Sequence, residues 1–343
     1  TLEQFLEREV RPHVVELEHN DIWPEETVHK MAELGLFGAI IDEEYGGLGL
    51  PCSTYAKICE KVAHTWMSLA GIFNSHLIMS AAVQRFGTED QRKRWLPKFA
   101  TGELRGGIAL TEPNCGTDLQ SIRTRAAKDR DAYVINGTKT WISNGIHAHV
   151  MAILAKTDWE IEPRHRGISL FLVEKGEGFR ASKKLEKLGY KGIDSAELLL
   201  EDCRVPSDQL IGMDPGNGFK QIMGGLELGR INVAARGCGV AAASLDEAVK
   251  YSQQRETFGQ PIANHQAIQL KLADMVTKVE AARLLTYRAA EAYDRGERCD
   301  MEAGMAKLFA TEAAIDNSMD AMRVHGGYGY SKEFPVERFY RDA

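Results

Sequence analysis

The hydrophobic period of this chain changes twice, and that double change constrains its fold more than any single motif. Residues 1 to about 104 carry apolar side chains at helical spacing, with Ile72, Phe73, Leu77 and Ile78 around Ser75-His76 predicting a buried helix. Phe86-Gly87-Thr88-Glu89-Asp90-Gln91 predicts a helix stop, then a Thr N-cap with Gln three residues on. From about 105 to 213 short alternating runs take over. Arg123 to Lys128 is one, and Asp129-Arg130-Asp131 turns it into Tyr133-Val134-Ile135. Asn136-Gly137 predicts a hairpin turn before Lys139-Thr140-Trp141-Ile142, and Val150–Ala155, Ile168–Val173 and Leu198–Leu200 predict further strands. After Gly216-Asn217-Gly218 the helical period returns, with Ile268, Leu272, Met275, Val279 and Ala282 on one stripe. Arg295-Gly296 ends that helix and Met301 to Met322 repeats the pattern. The expected fold is α+β and multidomain: an N-terminal helical domain (1–104), a central β-domain (105–213) and a C-terminal helical domain (214–343).

Charge and cysteine usage narrow the function. The 343 residues carry a net charge of −7, a field that does not draw a chain to phosphate backbones, so no nucleic-acid partner is expected. The cysteines at 52, 59, 115, 203, 238 and 299 show no C-x-x-C and read as reduced thiols. No apolar run is expected to span a membrane. Both ends read as cut: Thr1 already opens a helical pattern, and Tyr340-Arg341-Asp342-Ala343 stops without a glycine or proline signal.

Three apparent motifs carry little chemistry. Gly237-Cys238-Gly239-Val240-Ala241-Ala242 fits the dinucleotide pattern G-x-G-x-x-A, but a helical stretch precedes it where a strand should, so close helix packing is expected instead. His147 and His149 share a strand face without a third metal ligand and are expected at a surface or pocket rim; no metal is assigned. No G-x-S-x-G is present to carry a serine hydrolase. Two other stretches are sharper. Ala109-Leu110-Thr111-Glu112-Pro113-Asn114-Cys115-Gly116-Thr117-Asp118 leaves a strand into a hydroxyl-rich turn suited to a phosphate or a polar ring edge. His325-Gly326-Gly327-Tyr328-Gly329-Tyr330 offers glycines that let backbone approach a ligand.

Read together with Asn136-Gly137-x-Lys139-x-Trp141-Ile142-Ser143-Asn144, Glu201-Asp202-x-x-Val205-Pro206, Arg255-x-Thr257-Phe258-Gly259, His265-Gln266 and Arg341-Asp342-Ala343, these blocks make the whole chain resemble the acyl-CoA dehydrogenases. The resemblance implies an α-domain, a β-barrel-like domain and a C-terminal four-helix-bundle domain. It also implies non-covalent FAD, a homotetramer built from dimers, electron-transferring flavoprotein as acceptor, and a home in bacterial cytoplasm or mitochondrial matrix.

By the same resemblance Ile108, Leu110 and Thr111 line the flavin edge, Thr117 lies near the pyrophosphate and the thioester, and Trp141 and Ser143 form the ring wall. Across the dimer Arg255 meets the pyrophosphate, Phe258, His265 and Gln266 the adenosine side, and Arg323, Gly326 and Gly327 the backbone near it. Glu227 and Arg230 are expected on the CoA side. The implied reaction is α,β-dehydrogenation of a short or branched acyl-CoA. One family position for the base, just before Arg230, is Gly229 here. The catalytic glutamate is therefore expected beyond Ala343, and no residue of this sequence is assigned as catalytic. An acyl-CoA oxidase, a nitroalkane oxidase, another flavin enzyme on this fold, or a non-catalytic flavin-binding protein are the alternatives. Cys115 and Arg323 depart from the family pattern.

Overall fold

Thr88 caps its helix as the spacing predicts: its hydroxyl accepts from the Gln91 N–H at 3.3 Å, and the Gln91 side chain accepts from the Thr88 N–H at 3.0 Å. The computed structural model describes residues 1–343. Its first layer is helical: α1 (Leu2–Phe5), α2 (Val14–His19), α3 (Glu25–Glu33), α4 (Cys52–Phe86) and α5 (Glu89–Ala100). Only α4 is apolar and long enough to cross a membrane by length and composition, which qualifies the expectation that no run is. Of its most apolar window, 83% is buried by protein, as in the core helix of a layered domain.

The second layer is a curled sheet of β1 (Gly106–Ala109), β2 (Arg125–Asp129), β3 (Ala132–Ser143), β4 (Val150–Lys156), β5 (Ile168–Glu174), β6 (Phe179–Lys184) and β7 (Ser195–Pro206). Its order is β1-β4-β2-β3-β7-β6, with β5 on the other side of β4. The unbroken apolar runs of β4 and β5 have a reason. Val150, Ala152, Leu154, Ile168, Leu170 and Leu172 face the helical core, while Met151, Ile153, Phe171 and Val173 fill the sheet's own interior.

Asn136-Gly137 is not the hairpin turn its composition predicts. The chain runs straight through it inside β3, and the turn falls at Asp129–Ala132, where Arg130 takes φ 56°. A bulge between Ile135 and Gly137 absorbs the irregularity. Asn136 exchanges hydrogen bonds with Asp202 on β7 at 3.0 and 2.8 Å. A Cβ at Gly137 would come within 2.7 Å of the Thr124 Cα, so the glycine serves a close approach rather than a reversal.

The third layer holds α6 (Gly218–Gln254), β8 (Glu256–Thr257), β9 (Gln260–Pro261), α7 (Gln266–Asp294), α8 (Asp300–His325) and α9 (Val336–Asp342). Met275, Val279 and Ala282 of the expected stripe are buried, with Ile268 and Leu272 half-buried at its edge. The G-x-G-x-x-A run lies inside α6. A Cβ on Gly239 would fall 2.4 Å from the Glu60 carbonyl of α4, so helix packing explains it.

One loop ties the layers together. The Tyr190 N–H donates to Asp342 at 2.6 Å, and the N–H groups of Lys191 and Gly192 donate to buried Glu18 at 2.9 and 3.1 Å. Trp66, at a break in α4, donates to the same carboxylate at 2.7 Å. Burial, helped by the Glu18 charge, pushes the Asp342 carboxyl up to about 7.

Candidate functional site

β1 runs between α4 and β4, and what leaves its C-terminal end is held by a buried ion pair. Lys139 on β3 is fully buried and donates to Glu112 at 2.8 Å and to the Leu110 carbonyl at 3.0 Å. Glu112 also accepts from the N–H groups of Arg123 and Thr124 at 2.6 and 3.0 Å. Burial pushes the Glu112 carboxyl up, but the Lys139 cation and these donors outweigh it and hold it below its usual range. The Thr140 N–H donates to the Thr111 carbonyl at 2.9 Å. Leu110 and Thr111 are thus clamped against β3 while keeping part of their surface open.

Trp141 follows the clamp. A register shift in the β3–β7 pairing between Lys139 and Ile142 puts Trp141 at φ 59°, and its side chain ends 60% exposed. An aromatic residue in left-handed backbone is strained, and such strain clusters at functional sites. Two residues on, Asn144 (φ 60°) donates to the carbonyls of Ile72 on α4 and Gly106 on β1, at 2.9 and 3.1 Å. Ser143, half-buried, sits between these two fixed points.

His76 on α4 completes the brace. Its Nδ1 accepts from the Gly106 N–H at 3.1 Å, and its Nε2 lies 3.0 Å from the Phe99 carbonyl. Burial lowers its pKa to about 4, so the ring is neutral, with the proton on Nε2. His147 pairs with buried Asp194 at 2.9 Å and stacks on Trp23 at 4.1 Å; His149 accepts from the Arg105 N–H at 3.0 Å. Both histidines therefore have structural partners at this rim.

A second group forms entirely in the third layer. Arg255, Gly326 and Gly327 line a cavity of about 580 Å³ together with Tyr251, Thr257 and His325. A Cβ on Gly326 or Gly327 would meet nothing within 4 Å. Buried His325 stacks on Tyr251, and its Nε2 has no partner. Next to this cavity β8 and β9 form a hairpin whose tip, Phe258-Gly259, takes φ 52° and 81°, leaving Phe258 97% exposed. His265 steadies the hairpin through Thr257 at 2.9 Å, and Gln266 starts α7 on the surface. Arg323 does not line the cavity; it pairs with Asp320 at 2.9 Å. No residue of the Leu110–Ser143 group lines it either, so within one chain the two groups stand apart.

The third set lies on α6. Glu227 and Arg230 are half-buried on this helix. Gly229 faces α4, where an added Cβ would lie 3.3 Å from the Ile78 Cδ1. Thr117 is exposed, two residues past the turn that the Glu112–Cys115 hydrogen bonds close. Ile108 lies half-buried on β1.

The open indole of Trp141, the Arg255 guanidinium, the unfilled glycine backbone at 326–327 and the unpartnered His325 nitrogen suit an aromatic diphosphate cofactor. In the sequence alone Glu112 and Lys139 are only motif letters, and nothing there marks a role for His76, Asp194 or His325. A signal was present for Lys139: a lysine at an inward position of an alternating strand requires a buried partner.

Comparison with known proteins identifies the family. The chain matches the family descriptions "Acyl-CoA dehydrogenase, N-terminal domain" over residues 1–103, "middle domain" over 107–203 and "C-terminal domain" over 216–343. An acyl-CoA dehydrogenase of Bacillus subtilis is 41% identical over 99% of this chain and 89% of its own length. The mitochondrial short-chain specific acyl-CoA dehydrogenase of Mus musculus is 40% identical over 100% and 83%. The solved butyryl-CoA dehydrogenase of Megasphaera elsdenii superposes with a TM-score of 0.96 at 37% identity, covering 99% of this chain and 90% of that one. With relatives this close across nearly the whole of its length, the chain belongs to the acyl-CoA dehydrogenase family of oxidoreductases.

Proposed function

We propose that this enzyme binds FAD between the sheet and the C-terminal helices of two copies and removes the α and β hydrogens of a short acyl-CoA, giving the trans-2-enoyl-CoA. The observation that carries this reading is the pair of half-sites: a clamped edge with an open indole, and an exposed hairpin beside a glycine-lined cavity. FAD, when bound, supplies the hydride acceptor. Ile108, Leu110 and Thr111 would meet its ring edge, Trp141 and Ser143 its face, and Thr117 its pyrophosphate and the thioester. Arg255 would fork onto the diphosphate, which suits a rigid, permanently charged guanidinium. Phe258, His265 and Gln266 would reach the adenosine side of a neighbouring copy, with Gly326, Gly327 and Arg323 along the backbone there. Glu227 and Arg230 would meet the CoA.

An α-proton next to a thioester is only weakly acidic, so its removal needs a buried carboxylate and hydrogen bonds to the developing enolate oxygen. Gly229 supplies none, and we assign the base to a glutamate following Ala343. We further propose a homotetramer, electron-transferring flavoprotein as acceptor, and a bacterial cytoplasmic or mitochondrial matrix location, where six free thiols persist. The test is an anaerobic panel of acyl-CoAs mixed with the FAD-loaded full-length enzyme, following the oxidised-flavin band. Rapid bleaching by a short thioester supports the reading. A yellow protein that no thioester bleaches overturns it.

A further inference from the structure

We propose that Glu18 and Asp342 share one proton, which latches the loop from Tyr190 to Asp194. Its loss loosens the Trp141–Asn144 wall and with it the grip on FAD. The inference rests on the FAD reading above and names a pH control of that site. The loop joins β6 to β7 and lies against all three layers. Three successive N–H groups leave it for two carboxylates: Tyr190 donates to Asp342 of α9 at 2.6 Å, and Lys191 and Gly192 donate to Glu18 of α2 at 2.9 and 3.1 Å. Tyr190 takes φ 57°, a left-handed conformation that turns successive N–H groups into one concavity, as in an anion nest. Its ring packs over Gly71 of α4, and its hydroxyl accepts from Arg236 of α6 at 2.5 Å. At its far end the loop holds the wall. The Asp194 carbonyl accepts from the Asn144 N–H at 3.2 Å, its carboxylate accepts from the Ile146 N–H at 2.7 Å, and Ser195 pairs with Ser143 in the sheet.

The two carboxylates are not equivalent. Glu18 is wholly buried but also accepts from the Trp66 indole at 2.7 Å and the Ser68 hydroxyl at 3.4 Å, with the Arg341 guanidinium 3.7 Å away. Asp342 is buried with the Tyr190 N–H as its donor and no cation in ion-pair contact. The cations around the pair are engaged elsewhere. Arg338 of α9 donates to the Thr65 carbonyl at 3.1 Å. Arg341 forks onto Glu337 at 2.8 and 3.1 Å, and His19 of α2 meets the same carboxylate at 2.9 Å. Lys187 of the loop donates to the Ile193 carbonyl and to the Ser195 hydroxyl. A second negative charge in this dry nest is opposed by burial and by Glu18 itself, so the proton stays on Asp342 up to about pH 7. Above that the like charges repel and the Tyr190 end of the loop is released. By linkage, if the proton favours FAD, FAD favours the proton by the same factor.

The test titrates the full-length apoprotein with FAD across the neutral range, reading Kd from flavin fluorescence. Kd is expected to rise about tenfold between about pH 6 and about pH 8.5, the size of an ordinary coupling between two sites. Calorimetry in two buffers of different ionisation heat should show uptake of up to about one proton per FAD bound near the middle of that range. Asp342→Asn keeps an acceptor for the Tyr190 N–H but cannot ionise, and it should hold Kd level with no proton uptake. His19→Gln and His147→Gln, which remove the imidazoles paired with Glu337 and Asp194, should leave the rise in place. If Asp342→Asn does not fold, hydrogen exchange of the Tyr190, Lys191 and Gly192 amides in the unaltered chain decides: their protection factors should fall as pH rises through about 7. A Kd or protection that stays level with pH in the unaltered chain, or a rise that persists in Asp342→Asn, overturns the latch while leaving FAD binding standing. Apoprotein that takes up no FAD at any pH overturns both.

Discussion

The two proposed half-sites of this enzyme are built on opposite principles. The Leu110–Asn144 half is over-determined from within: a buried ion pair, a neutral histidine and two asparagine bonds fix a strained tryptophan. The Arg255–Gly327 half is open, with an exposed arginine, a nearly bare phenylalanine and glycines that touch nothing. The lesson is that one half carries its stability inside the protomer, whereas the other is shaped for something still to arrive. Substitutions should therefore separate cleanly, with folding losses in the first and binding losses in the second.

The largest effect is expected at Lys139. Lys139→Met leaves Glu112 buried with its charge uncompensated and should cost about 3–5 kcal/mol, read by urea unfolding of the FAD-free protein. The double variant with Glu112→Leu should recover much of that loss, and a double as unstable as the single would break the contrast. Next comes His76. Its folded pKa, about 4, lies below the unfolded value, so the unfolded state binds the extra proton. Its contribution is complete above about pH 6.5 and is lost as pH falls toward 4, on the order of 3 kcal/mol in all. His76→Gln should flatten that part of the stability–pH curve, and an unchanged slope would remove His76 from the account.

In the open half, Arg255→Gln should leave the unfolding midpoint unchanged. It should weaken FAD binding by roughly ten- to a hundredfold, the value of a charge-assisted bond to a diphosphate, read by FAD titration of apoprotein. The smallest effect on stability belongs to Phe258→Ala, within about 0.5 kcal/mol for an exposed tip, with any loss confined to FAD retention and subunit association. A large folding loss at Phe258 would show that the hairpin packs where it looks free.

Much of the fold was legible because periodicity records burial. The stripe on α7, the capping box at Thr88 and the places of strands β4 and β5 were legible in the sequence, whereas the two-sided burial of those strands was not. Asn136-Gly137 misled because the same dipeptide serves a tight reversal and a bulge against a neighbour, and only the proximity of Thr124 and Asp202 distinguishes them. The sharp blocks around Thr111, Trp141, Arg255 and Gly326 could be named as motifs, but their braces could not. Glu112 meets Lys139 across 27 positions, and His76 meets Gly106 across 30.

By itself, then, the sequence determined the order of helices, sheet and helices, and the family to which that order belongs. It could do so because hydrophobic period and local caps act between residues a few positions apart. Only the tertiary structure decided which polar groups are buried in pairs, which are left unpaired, and which stand open to solvent. Those outcomes depend on distances between segments remote in the chain, where a difference of about an ångström separates a satisfied hydrogen bond from an orphaned one.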